Sequence, residues 1–185
     1  MQIKENINLI LDEIREVLDK VDQGQVDVLV KGIRKANKIV VCGAGRVGYA
    51  IKGFGMRLGH LGFNTYALGD TTVPSISEGD VLLVATGSGE TQTIFDLVTI
   101  AKKNRATIIA VTGNPDSRIG MLADHLVKIT APSKTKAVEG FNSIQPMTTL
   151  NEQCLGIFFD GVVLQLMEEM NETHDTMWSR HSNLE

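Results

Sequence analysis

Residues 86–91, Thr-Gly-Ser-Gly-Glu-Thr, set three hydroxyls around two glycines directly after an apolar run. Glycine lets the backbone approach an anion closely, a helix amino terminus carries positive potential, and hydroxyls donate to phosphate oxygens. Thr86, Gly87, Ser88, Gly89 and Thr91 therefore make a candidate cradle for a terminal phosphate monoester. Each charge-assisted hydrogen bond in such a cradle is worth about 1.5–3 kcal/mol net. The same residues also read as an ordinary helix cap starting at Ser88. A cap needs one hydroxyl, however, and three are present.

A second turn, Gly43-Ala44-Gly45-Arg46-Val47-Gly48, spells G-x-G-x-x-G after the run Ile39–Cys42. That spelling matches a dinucleotide-binding turn, but any tight strand-to-helix turn benefits from glycines there. A dinucleotide also needs an acidic residue about 20 positions on, at the end of the second strand. Asp70 is the nearest candidate, and it falls in Asp70-Thr71-Thr72, a run that reads as loop. The chain is also short for a dehydrogenase that must build a separate substrate site. The cofactor reading is weakened.

These turns must be held by a scaffold. Ile3, Ile7, Ile10, Leu11, Ile14, Val17, Leu18 and Val21 recur at helical spacing, which predicts an amphipathic helix over 3–21. A second helix is expected over 25–35. Continuous apolar runs ended by glycine or polar residues then predict strands at 38–43, 81–87, 106–113 and 125–130, with a weaker one at 64–68. Helices fit between them at 46–61, 91–104 and 117–123. Strands alternating with helices imply a parallel sheet with right-handed crossovers. The expected fold is a single α/β doubly wound domain with a five-stranded parallel sheet. Residues 1–36 form a helical extension, 37–130 the α/β core, and 131–185 a loop, a final helix over 147–170 and a tail. That helix is apolar almost all round, which points to burial, including at a subunit contact. In such a sheet ligands sit at the carboxyl ends of the strands, where GAGR, TGSGET and TGNPDS fall.

Composition excludes several classes. The chain has 185 residues, 43% hydrophobic and 22% charged, with a net charge of -4. No basic block offers a nucleic-acid surface; Lys102-Lys103-Asn104-Arg105 reads as an exposed helix end. No apolar run reaches the roughly 18 residues of a membrane span, and the amino terminus lacks a signal-peptide pattern. Cys42 and Cys154 share no metal or redox spacing and read as core residues of a reducing compartment. A cytoplasmic protein is expected. A zinc site at His60 would need a ligand three or four residues away, and Met56, Arg57, Phe63 and Asn64 supply no charged one.

GAGRVG, TGSGET, TGNPDS and QPMTTLNEQ, in this order and spacing, resemble the sugar isomerase (SIS) domain. Together with the terminal RHSNLE they more narrowly resemble the 6-phospho-3-hexuloisomerase family, over essentially the whole chain. The resemblance implies a flavodoxin-like strand order and interconversion of D-arabino-hex-3-ulose 6-phosphate and D-fructose 6-phosphate. It places that reaction in formaldehyde fixation by the ribulose monophosphate pathway, with no cofactor and a homotetramer. One departure is Gly87, where glutamine is common in the wider superfamily; its backbone can still serve. Two other readings are a different phosphosugar isomerase, such as one acting on arabinose 5-phosphate, and a non-catalytic sugar-phosphate sensor. Such sensors usually carry a DNA-binding segment, a task that an acidic first helix does not suit.

The resemblance also assigns roles. Gly45 and Arg46 belong to a turn that admits the sugar phosphate, with the arginine reaching phosphate or a substrate oxygen. Moving a carbonyl from C3 to C2 removes the C2 proton, forms a 2,3-enediolate and reprotonates C3, for which Glu152 is the expected general base. On spacing alone, Thr149-Leu-Asn-Glu152 reads as a capping box. His60 reads alone as a satisfied helix-end histidine and His181 as part of a disordered polar tail. The resemblance folds that tail over a site, its own or a neighbour's, and makes both histidines candidates to shuttle a proton between O2 and O3. His125 reads as structural and His174 as solvated.

Overall fold

The computed structural model describes residues 2–132, 138 and 141–184. Helices α1 (Ile3–Leu18) and α2 (Gln23–Lys35) precede the sheet. Then come β1 (Ile39–Cys42), α3 (Gly45–His60), β2 (Thr65–Ala67), β3 (Val81–Thr86), α4 (Gln92–Lys103), β4 (Thr107–Thr112), α5 (Arg118–Leu122) and β5 (His125–Lys128). Helix α6 (Thr149–Met170) and the short α7 (His174–Trp178) close the chain.

All strand pairs are parallel, in the order β2-β1-β3-β4-β5. This is the doubly wound, flavodoxin-like arrangement, and it leaves β1, β3 and β4 covered on both faces. That double burial explains their unbroken apolar runs. Every residue of β1 and β3 is buried, whereas the edge strand β2 is only half-buried. Successive side chains alternate between two cores. Val41, Leu83 and Ile109 face α2, α3 and α6, while Val40, Leu82 and Ile108 face α4 and α5.

Helix α6 lies along α3, with the Phe54 and Phe159 rings stacked at 4.6 Å between centroids. Its buried face runs through Leu150, Cys154, Phe158, Val162 and Leu166. Ile157 and Leu164 remain 46% and 67% exposed, so on this chain only one side of the apolar helix is covered. Both cysteines are buried, as expected of core residues; burial pushes the Cys42 thiol up to about 11 and the Cys154 thiol up to about 12. The segment read as an active-site loop from 131 onward falls partly outside the described residues, as does Glu185. Among the described residues no helix is long and apolar enough to cross a membrane.

Candidate active site

The chain leaves β1 toward β2 on one side and returns to β3 on the other, so the carboxyl ends of β1 and β3 flank the topological switch point where α/β folds bind ligands. A cavity of about 300 Å³ opens there. Its walls come from three helix starts and one strand end: Gly45 and Arg46 of α3, Thr86–Ser88 after β3, Thr91 before α4, and Thr148, Asn151 and Glu152 at the start of α6. Three amino-terminal helix ends converging on one space favour an anion.

The loop after β3 is held by its own side chains and by its neighbour. The Gly89 N–H donates to Thr86 Oγ1 at 3.1 Å and the Glu90 N–H to Ser88 Oγ at 3.2 Å. Thr91 is the N-cap of α4, not Ser88, and its hydroxyl makes no capping bond. Gly89 does not line the cavity. Its φ is +69°, and a Cβ there would lie 1.8 Å from Ser117 Oγ, so glycine serves the packing of this loop against the one after β4. Asn114 Nδ2 donates to the Ser88 carbonyl at 3.3 Å. Arg118 then locks Glu90 from outside: Nε donates to Glu90 Oε2 at 2.8 Å, Nη2 to the Glu90 carbonyl at 2.9 Å and Nη1 to Gln92 Oε1 at 3.0 Å. The guanidinium also stacks 4.6 Å over the Phe95 ring.

Opposite the loop, Arg46 Nη1 lies 3.0 Å from Glu152 Oε2. The Glu152 side chain is 14% exposed and the Arg46 side chain 59%. Thr148 Oγ1 donates to the other carboxylate oxygen at 2.9 Å. The expected capping box does not form. The N-cap is Thr148, one residue earlier than that motif requires, and its side chain makes no cap bond. Glu152 therefore turns its carboxylate to the cavity and to Arg46.

His60 and His181 come together, but elsewhere. Their rings lie 5.1 Å apart in a second cavity of about 370 Å³, lined also by Arg57, His174, Met177 and Trp178. His60 ends the helix that Arg46 begins, so about 20 Å of helix separates them at 1.5 Å per residue. Within one chain neither histidine shares the Glu152 cavity. His60 is buried, with Arg57 Nη1 3.3 Å from its Nδ1. The tail is anchored: Arg180 donates to both Glu172 carboxylate oxygens and to the His60 carbonyl, each at 2.9 Å. His174 stacks on Trp178 at 6.0 Å.

The SIS domain family matches residues 32–155. This chain belongs to the SIS domain family. It is 36% identical over 185 residues to the 3-hexulose-6-phosphate isomerase of Bacillus subtilis (strain 168), covering 100% of both chains. It is 40% identical over 183 residues to that of Mycobacterium gastri, covering 99% of this chain and 92% of the relative. A crystal structure from Methanococcus jannaschii, of a hypothetical protein inferred to function as a 3-hexulose-6-phosphate isomerase, matches with a TM-score of 0.85. That match is at 31% identity, over 98% of this chain and 99% of the other.

The G-x-G-x-x-G turn lines the cavity through Gly45 and Arg46, while its third glycine serves packing. A Cβ on Gly48 would stand 2.7 Å from the Gly43 carbonyl oxygen, so the third glycine lets α3 cross close to the end of β1. Asp70 does not meet the requirement of a ribose-binding acid. It lies three residues beyond β2, is 58% exposed, faces Lys52 Nζ at 3.9 Å and does not line the cavity. Sequence reasoning missed three residues, one of them Thr148, whose hydroxyl holds Glu152 in the cavity wall. Arg118 carries no motif of its own. Asn151 stands beside Glu152 in the cavity wall, and its one signal was a carboxamide in the first turn of a mostly apolar helix.

Proposed function

We infer that this protein is an isomerase that interconverts D-arabino-hex-3-ulose 6-phosphate and D-fructose 6-phosphate. The observation that carries this reading is one cavity walled by a phosphate-type loop on one side and the Glu152–Arg46 pair on the other. A ketose phosphate held by its C6 phosphate on Gly87, Ser88 and Thr91 extends its C2–C3 bond toward Glu152. The Glu152 carboxylate removes the C2 proton, and the electron pair forms the 2,3-enediolate. The same group returns the proton to C3 from the same face, leaving the carbonyl at C2. Such base catalysis supplies about 10²–10⁴ in rate. Arg46, the cation at this rim, stabilises the enediolate oxygen and contributes on a similar scale.

A proton must also move from O2 to O3. His60 and His181 suit that transfer chemically, and their distance from Glu152 in one chain supports a reading in which they serve a neighbouring copy's site in a homotetramer. The reaction belongs to formaldehyde fixation by the ribulose monophosphate pathway, in the cytoplasm. The test is direct: purified protein given the hex-3-ulose phosphate yields fructose 6-phosphate, followed by a coupled dehydrogenase assay. Binding of fructose 6-phosphate without turnover would favour a sensor instead.

A further inference from the structure

Asn151 is the most deeply buried polar group in the cavity wall, at 1% exposure, and its side-chain oxygen has no hydrogen-bond partner. Native interiors leave few such acceptors unpaired, because desolvation then goes unrecovered. The residue is not structural filler in any visible bond: it neither caps α6 nor braces the loop. Its Oδ1 would stand 2.9 Å from a Cβ at Gly87, so only the absence of a side chain at 87 makes room for the carboxamide against the phosphate-type loop. On its other side, along the first turn of α6, is Glu152.

That position has chemical meaning. A sugar phosphate spanning the cavity runs from phosphate, at the loop, through C6, C5 and C4 to the reacting C3 and C2, at Glu152. Asn151 adjoins both, with Gly87 of the loop against its carboxamide and Glu152 next to it in α6. We propose that Asn151 is a specificity-determining residue that hydrogen-bonds the C4 or C5 hydroxyl of the sugar phosphate. A carboxamide offers both a donor and an acceptor, and a hydroxyl is both, so either amide rotamer completes the pair. A site that buries a polar group for a substrate hydroxyl rejects the analogue lacking it far more strongly than an apolar pocket rejects an added group. The inference rests on the phosphosugar reading above, but it concerns binding and not the chemical step.

The test is calorimetric binding of fructose 6-phosphate and its 4-deoxy and 5-deoxy analogues to the parent protein and to Asn151→Leu and Asn151→Gln. The parent binds one deoxy analogue about 100-fold more weakly than fructose 6-phosphate. Asn151→Leu loses about the same factor on fructose 6-phosphate and nothing further on that analogue, while Asn151→Gln recovers part of the discrimination. Equal weakening of all three ligands by Asn151→Leu, or a parent that does not distinguish them, overturns the proposal. Failure of the parent to turn over substrate while this pattern holds would sink the isomerase reading and leave the role of Asn151 intact.

Discussion

Arg46 and Glu152 meet at 3.0 Å across the cavity, joining the first turn of α3 to the first turn of α6. The pair sets a carboxylate and a guanidinium within one salt-bridge length of each other on the cavity wall. A carboxylate so engaged is fixed in direction, and in the proposed reaction the cation would face the charge that develops when a proton leaves carbon.

Removal of that cation slows chemistry more than binding. Arg46→Ala lowers kcat about 100-fold with a smaller change in KM, the scale seen when one preorganised donor is lost. Arg46→Lys recovers part of the rate, since lysine supplies charge without the planar fork. Steady-state kinetics of both variants check this.

Arg118 acts on the other wall, through Glu90. It touches no cavity atom, yet four of its contacts fix the residues between Ser88 and Gln92. Arg118→Ala raises KM for the phosphosugar about 10-fold, equivalent to about 1.4 kcal/mol, with kcat nearly unchanged. An equal fall in kcat would show that the loop does more than hold phosphate.

Much of the architecture is legible in the sequence because double burial writes itself as unbroken apolar runs: Val81–Thr86 and Ile39–Cys42 are strands buried along their whole length. The loop after β3 is legible as a cavity wall, since its hydroxyls and glycines outnumber what a helix cap needs, and Thr86, Gly87, Ser88 and Thr91 do line the cavity. The finer roles within it are not. Gly89 holds the loop rather than facing the cavity, and Thr86 does both, accepting from the Gly89 N–H while lining the wall; the distinction is set by φ at Gly89 and by Ser117, 28 residues away. The ordered tail is expected from the family resemblance alone and not from its own polar residues. Its anchor, Arg180 on Glu172 and on the His60 carbonyl, depends on tertiary geometry that no local pattern announces.

Beneath the sheet's amino-terminal edge, Asp80 is 1% exposed and accepts from Lys38 Nζ at 2.8 Å, the Ser77 N–H at 2.7 Å and Ser77 Oγ at 3.0 Å. Burial alone would push its carboxyl up, but these bonds outweigh it and hold the group below the usual range. Its contribution to stability is therefore complete above the unfolded value of about 3.9 and is lost as pH falls through the lower folded value. Asp80→Ala costs about 3–5 kcal/mol at neutral pH, because it strands a partly buried lysine. Denaturant titrations at pH 7 and pH 3 measure it, and the gap between parent and variant narrows at the lower pH.

Shared sites have a separate signature. If His181 of one copy serves Glu152 of another, Glu152→Gln and His181→Ala are each inactive alone. Denatured together in equal amounts and refolded, they regain about a quarter of parental activity, the chance that two intact contributions meet at one interface. Persistent inactivity of the mixture would confine each site to one chain.

The central claim is that Glu152 moves a proton between carbons. Its most direct measurement is isotope exchange: fructose 6-phosphate incubated with enzyme in deuterated water and followed by NMR at C3. The parent protein incorporates deuterium there, and Glu152→Gln, which still binds fructose 6-phosphate, incorporates it at least 100-fold more slowly. Exchange at the parental rate in that variant would contradict the account.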